Sequence, residues 1–214
     1  MKETYSKNYF EKYAALTLTK VLDVSADNII QADRPDLRIP KRNFGIEVTQ
    51  ALTPAEAVAD IKKPLYSTLK LNPFDHDEKN LEFVINKIDN ALERKEQKSK
   101  NYEIYLDNGL YIFSHCHNLP EHMLYDFLNQ LNLANSFYQH IFVNCVDHLY
   151  YYRCQEQIII KVDYSFQELS AMNQLAIDFE KHCHKAVSYT HLDVYKRQGI
   201  YYSLNPVHSY KSQL

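Results

Sequence analysis

The residues of this chain best suited to chemistry sit in one short window: Pro35-Asp36, ten intervening residues, then Glu47-Val48-Thr49. Two carboxylates on neighbouring strands, with the carbonyl of Val48 beside them, offer three oxygen ligands to a hard divalent cation such as Mg²⁺ or Mn²⁺. A cation held this way lowers the pKa of a bound water and stabilises the negative charge that builds on a phosphoryl group under attack. The same window has a plainer reading, in which Glu47 is a strand carboxylate neutralised by Arg34, Lys41 or Arg42. A buried carboxylate needs a partner or a metal, so the group that faces Glu47 decides between the two.

The order of elements around the window resembles the PD-(D/E)XK nuclease superfamily, whose core is a helix, a strand hairpin bearing the motif, then a helix and further strands. The likeness runs from about Thr4 to Lys161 and is strongest over Pro35 to Thr49. The chain is also similar to a group of uncharacterised bacterial proteins with PDL or PDF followed by GIEVT. The resemblance implies metal-dependent hydrolysis of DNA phosphodiester bonds. Asp36 takes the place of the motif aspartate, Glu47 that of the second acid, and Glu11 that of an acidic residue many members keep on the first helix. Thr49 stands where the superfamily normally has a lysine that orients the attacking water and balances charge. In some members that role has migrated to another element, and Lys12, Lys62 and Lys63 are the substitutes considered. Gln50 is adjacent but points to the opposite face of a regular strand. The alternative is a nuclease-like fold that has lost catalysis and serves as a binding or interaction module.

Two further clusters invite a chemical reading. Ser114-His115-Cys116-His117 and Lys181-His182-Cys183-His184 each contain His-Cys-His, and if they converged they would give Zn²⁺ four nitrogen or sulfur ligands. On a strand, His115 and His117 share a face, whereas on a helix His182 and His184 splay apart. The run Tyr150-Tyr151-Tyr152-Arg153 could stack nucleic-acid bases, although alternating strand tyrosines are more often divided between core and surface.

Helices and strands that could position these groups alternate along the chain. Thr4 to about Leu22 lacks Gly and Pro and lines up Glu11, Ala14, Ala15, Leu18 and Leu22, which predicts a helix with an inward carboxylate. Asn28 to Ala32 and Phe44 to Thr49 read as strands joined by a turn at Lys41-Arg42-Asn43, and Pro35 biases Arg34 away from helix. Thr53-Pro54-Ala55-Glu56 has the form of a capping box opening a helix. The stripe Leu81, Val84, Ile85, Ile88, Leu92 predicts a helix from about Asp77 to Glu96, with the charged tail Glu93 to Lys100 as a solvated end. Asn108-Gly109 reads as a turn into a strand over Leu110 to Ser114, and Leu119-Pro120-Glu121 as a helix start. His140 to Cys145 with Leu149 to Arg153 reads as a hairpin, Gln157 to Lys161 as a strand, and Phe166 to about His182 as a last helix. The pattern predicts one α/β domain with a mixed central sheet flanked by helices, and the resemblance implies that this core is of restriction-endonuclease-like type.

Composition narrows the function. With only 3 glycines against 18 tyrosines, Gly-rich phosphate loops cannot be built, which argues against P-loop and dinucleotide folds. The formal charge of -3 argues against a general nucleic-acid coat but leaves room for a local basic groove. Four cysteines without CxxC spacing fit reduced thiols better than a disulfide framework. The polar N-terminus and the lack of a long apolar run point to a cytoplasmic protein with no membrane partner.

One segment stands apart. The codons of Val187 to Gln198, VSYTHLDVYKRQ, can be chosen so that they resemble two head-to-head copies of a transposase mosaic-end sequencing adaptor. Extending that palindrome by two bases limits residue 186 to Ala, Ser, Pro or Thr, and it is Ala186. The expected division is therefore a nuclease-like domain over 1–186, adaptor-derived residues over 187–198, and residues of unknown origin over 199–214.

Overall fold

A computed structural model of the chain describes residues 5–53, 56 and 80–197. Its four described α-helices are α1 (Lys7–Leu22), α2 (Leu81–Lys98), α3 (Glu121–Gln130) and α4 (Phe166–Arg197). Seven strands form one mixed sheet in sequential order: β1 (Ile30–Gln31), β2 (Leu37–Ile39), β3 (Phe44–Gln50), β4 (Asp107–Phe113), β5 (His140–Asn144), β6 (His148–Arg153) and β7 (Ile158–Asp163). The central β3–β4 and β4–β5 pairs are parallel, and the outer pairs are antiparallel. This is the expected α/β architecture, a mixed sheet with helices on both faces.

Strand alternation divides the core in two. Leu37, Ile46, Tyr111, Phe113, Phe142 and Leu149 share one cluster with α1 and α4. Leu110, Ile112, Ile141, Val143, Tyr150 and Tyr152 share the other with α2 and α3. The middle strands are buried on both faces, which is why their sequences read as nearly continuous apolar runs.

Local signals explain where the elements start and stop. The side chain of Ser6 caps α1 by accepting the Asn8 N–H at 3.2 Å, and Asp23 closes it in a left-handed conformation. The turn before β3 is a 3₁₀ turn over Pro40–Arg42 closed by left-handed Asn43. The capping box forms as predicted: Glu56 N–H donates to Thr53 Oγ1 at 3.2 Å and Thr53 N–H to Glu56 Oε2 at 2.7 Å.

Some expectations shift. Asn108-Gly109 lies inside β4 rather than in a turn. The reason is packing: a Cβ on Gly109 would stand 3.0 Å from the Phe44 ring and 3.1 Å from the Phe142 ring, so glycine lets both aromatics close over the strand. The last helix does not stop near His182 but continues to Arg197, through most of the adaptor-like segment, over a stretch with neither Gly nor Pro to end it. Lys62 and Lys63 fall outside the described residues. No described helix is long and apolar enough to cross a membrane.

Candidate functional site

Strand register brings the two motif carboxylates together. β2 pairs with β3 through Leu37↔Ile46, Arg38↔Gly45 and Ile39↔Phe44. One step further along the same register sets Asp36 opposite Glu47, where side chains share a face. Asp36 is locked there because Val48 N–H donates to its Oδ2 at 2.8 Å and its own carbonyl accepts the Ala32 N–H. Gly45 makes the approach possible, since a Cβ there would lie 2.7 Å from both Pro35 Cγ and the Tyr105 ring.

Helices from both layers complete the cluster at this edge of the sheet. From α1, Lys7 Nζ lies 2.8 Å from Asp36 Oδ1 and 3.3 Å from Glu11 Oε1, the latter an ion pair without hydrogen-bond geometry. Gln31 Nε2 donates to Glu11 Oε2. From α2, Lys95 Nζ donates to Glu47 Oε2 at 2.6 Å. The residue before it, Arg94, donates to Thr49 Oγ1 at 3.2 Å and to the Gln50 carbonyl. Asp36, Glu47 and Glu11 are 5%, 3% and 4% exposed.

The electrostatics follow from this crowding. Burial pushes the Glu11 carboxyl up, the Asp36 charge pushes it further, and Lys7 only partly offsets them, leaving it at about 7. Glu47 is also raised, by burial first and Asp36 second, against the pull of Lys95. Lys7 is held above the ordinary lysine range because Asp36 and Glu11 outweigh the effect of its own burial. Tyr102 is raised by burial and by the nearby charges of Glu47 and Asp36.

The donor set suits a hard cation. Three carboxylates against two ammonium groups leave excess negative charge, and Glu47 Oε1 is buried with no hydrogen-bond donor. Among the described residues, no three or more His, Cys, Asp and Glu side chains form a ready-made metal cage. Mg²⁺ does not require one, because it is commonly bound by one or two carboxylates together with waters and substrate phosphate.

Sequence reasoning nominated Asp36, Glu47, Val48 and Thr49 in the window and Glu11 on the first helix, and all five meet at this edge of the sheet. It misplaced the cations. Glu47 pairs with Lys95 and not with Arg34, Lys41 or Arg42. Lys12 turns to the opposite side of α1, over the Phe179 ring at 5.5 Å. The tail of α2 is not a solvated end, since Lys95 reaches Glu47 and Glu96 accepts from Phe137 N–H and Ser136 Oγ. Signals for Lys95 were present: it falls seven residues after Ile88, on the buried side of the stripe, and its stem can lie along that surface while its head reaches out.

The other clusters do not assemble. β4 ends at Phe113 and His115 has φ 57°, so the strand geometry assumed for His115 and His117 is absent. His115 Nε2 contacts Gln50 Oε1 at 3.1 Å, which also places Gln50 on the α1 face away from Glu47. His182 Nδ1 bonds within its own helix to the Asp178 carbonyl, and the side chain of His184 lies outside the described residues. Tyr150, Tyr151 and Tyr152 are all buried; Tyr150 donates to the Leu119 carbonyl and Tyr151 Oη shares a hydrogen bond with His140, so they form core and not a stacking platform.

No family model, curated protein or solved structure matches the chain.

Proposed function

We propose that the protein is a metal-dependent phosphodiesterase acting on DNA, with Lys95 in the place of the motif lysine that Thr49 lacks. The observation that carries this reading is the convergence of Asp36, Glu47 and the Lys95 ammonium at one sheet edge. Asp36, Glu47 and the Val48 carbonyl are the groups that would hold Mg²⁺ or Mn²⁺. When bound there, the cation supplies Lewis acidity to the water and to the phosphoryl oxygen.

The chain's own residues account for the rest. Lys95, fixed by Glu47, places a positive charge where a water nucleophile and the transition-state phosphoryl oxygens both gain from it. Lys7 and Val48 N–H hold Asp36 in a single orientation. Glu11, with its carboxyl pushed up to about 7, is a group of the cluster able to take up a proton near neutral pH. Thr49 is held by Arg94, so its position adds a second cation to the same side.

One observation favours the alternative, a nuclease-like fold without catalysis. Each of the three acids already faces an ammonium group, with Lys7 shared by Asp36 and Glu11, so the cluster can stand as an ion-pair network without a metal. Cleavage of supercoiled plasmid in Mg²⁺ or Mn²⁺ separates the two. The expected result is nicking that EDTA abolishes and that Asp36→Ala eliminates. Lys95→Met should lower the rate by about a hundredfold, and adding Thr49→Lys to Lys95→Met should recover part of it. A folded parent that nicks nothing would transfer the reading to the binding module, and full activity in Lys95→Met would remove the role given to Lys95.

A further inference from the structure

The acid cluster borders a cavity that the hydrolytic reading does not use. It measures about 380 Å³ and lies between the start of α1 and the end of β3, with Tyr5, Phe10 and Val48 as apolar lining and Lys7, Glu11 and Gln50 as polar lining. Three of these residues already belong to the site. Lys7 lies 2.8 Å from Asp36 and 3.3 Å from Glu11, and the Val48 N–H holds Asp36. The cavity and the acid cluster therefore share a wall.

One polar group of the lining is fixed in place and still has bonding capacity. Val48 and Gln50 stand two apart on β3 and share its α1 face. Behind Gln50, the buried His115 ring stacks on Phe113 with centroids 6.0 Å apart and meets Phe10 edge-on at 6.3 Å. His115 Nε2 lies 3.1 Å from Gln50 Oε1. An amide oxygen only accepts, so His115 is the donor and the Gln50 NH₂ is the end of the amide left for another partner. Among the described residues that NH₂ makes no hydrogen bond.

Size and lining together match one nucleoside. The volume falls at the low end of small-ligand pockets, which run from about 300 to 1,000 Å³. That is room for a single base with its sugar and too little for a base pair between two backbones. The apolar atoms of Tyr5, Phe10 and Val48 suit the flat faces of a base, and the Gln50 NH₂ suits a carbonyl oxygen or ring nitrogen on its edge. The shared wall supplies the connection: a nucleoside seated here is the neighbour of a phosphodiester at Asp36 and Glu47.

We propose that the cavity receives one unpaired nucleoside of a DNA strand, next to the phosphodiester held at Asp36 and Glu47, and that Gln50 reads its base edge. The substrate class is accordingly a single strand or a frayed end, in preference to continuous duplex, which must first extrude the base. This rests on the phosphodiesterase reading for its substrate but concerns binding, so it is tested without cleavage.

The full chain is titrated against fluorescein-labelled probes in Ca²⁺, which takes oxygen ligands as Mg²⁺ does, and again in EDTA. The probes are a single-stranded dodecamer, the same strand paired in a duplex with G·C-rich ends, and a dodecamer of abasic units that keeps the phosphates without the bases. The expected result is binding at least about tenfold tighter to the single strand than to either other probe, because the duplex must extrude a base and the abasic strand has none to seat. Gln50→Trp fills the cavity and should abolish the preference. Gln50→Glu keeps an acceptor for His115 and replaces only the NH₂, so it should lose most of the preference while its added charge weakens all three probes alike. Thermal melting checks that both variants fold, and Gln50→Glu carries the test if Gln50→Trp does not. Equal affinity for the three probes, or a preference unchanged in the folded variants, would overturn the pocket. Displacement of the bound strand by deoxythymidine monophosphate at the strand's own Kd would overturn the assignment to DNA in favour of a free nucleotide. A single-strand preference equal in Ca²⁺ and EDTA, without plasmid nicking, would leave the pocket standing and reject metal-dependent cleavage; metal-dependent nicking without the preference would do the reverse.

Discussion

Helix α2 makes two glutamate–lysine pairs with the β3 side of the molecule, and they behave in opposite ways. Lys87 lies 3.1 Å from Glu56, and Lys95, two turns on, lies 2.6 Å from Glu47. Burial is the largest single influence on Glu56 and raises it, but Thr53 N–H, Thr53 Oγ1 and Lys87 together outweigh it, so its carboxyl ends below the usual range. At Glu47, burial and the neighbouring Asp36 outweigh Lys95, and the carboxyl ends above it. A paired carboxylate surrounded by donors is a finished structural joint, whereas one that stays raised despite its partner sits in a site with negative charge to spare. On the proposed reading, the difference separates the pair that would serve chemistry from the one that is structural.

Removing the acids gives the largest expected effect and tests the distinction most directly. Glu47→Ala should reduce plasmid nicking by more than about a hundredfold, exceeding what loss of a mere supporting contact costs a metal site. Glu56→Gln should leave the nicking rate unchanged within error. If the two variants lose activity equally, the contrast between the pairs fails.

Stability should separate the lysines. Lys95→Met leaves Glu47 buried beside Asp36 without its ammonium, and the expected loss in urea unfolding at pH 8 is about 3 kcal/mol, the lower end for a broken buried pair because Lys95 is partly exposed. The loss should shrink as the pH is lowered, because Glu47 is raised and takes up a proton more readily than an ordinary glutamate. Lys87→Met leaves Glu56 still held by Thr53, so its cost should be below about 1 kcal/mol. Equal losses would mean that both pairs are structural.

The pH dependence has opposite signs at the two sites. Glu11 has a folded pKa of about 7, above its unfolded value, so its contribution is fully present below the unfolded pKa and is lost as pH rises through about 7. Metal-free protein should therefore melt lower at pH 8 than at pH 6, Mg²⁺ should restore part of the difference, and Glu11→Gln should flatten it. Glu56 is lowered, so its contribution is present above the unfolded pKa and is lost as pH falls through the folded pKa. A melting profile at pH 6 to 8 that is unchanged in Glu11→Gln would show that Glu11 is not strained by Asp36.

The smallest effect concerns the cap. Thr53→Ala removes one of the two bonds of the capping box and should cost about 1 kcal/mol in urea unfolding, with no change in nicking. A measurable loss of activity would couple the structural joint to the site.

Much of the frame was legible without coordinates because it depends on neighbours in sequence. The Thr53–Glu56 box, the inward Glu11 and the opposite faces of Thr49 and Gln50 follow from spacing and from strand or helix period. The carboxylates Asp36 and Glu47 are legible from the Pro35-Asp36 and Glu47-Val48-Thr49 spacing, but the strand Leu37–Ile39 that sets them opposite each other is not, since three residues are too few to show a period. The errors came where distant segments meet. His115 and His117 looked like a strand pair, but β4 ends before them. Asn108-Gly109 looked like a turn, but the rings of Phe44 and Phe142 require that glycine within a strand.

The sequence by itself determined the acids of the site, their spacing and the alternating elements that carry them. Only the tertiary structure decided which cations complete it. Lys12 and Lys95 are both long cations on amphipathic helices, and a place beside the buried stripe does not by itself say which acid either one reaches. The docking of α2 against the β3 side of the sheet sends Lys95 to Glu47, while the packing of α1 against α4 sends Lys12 to Phe179. That choice is made by the rotation of whole helices against a sheet, which is set by the summed burial of their apolar stripes and not by the residues flanking either lysine.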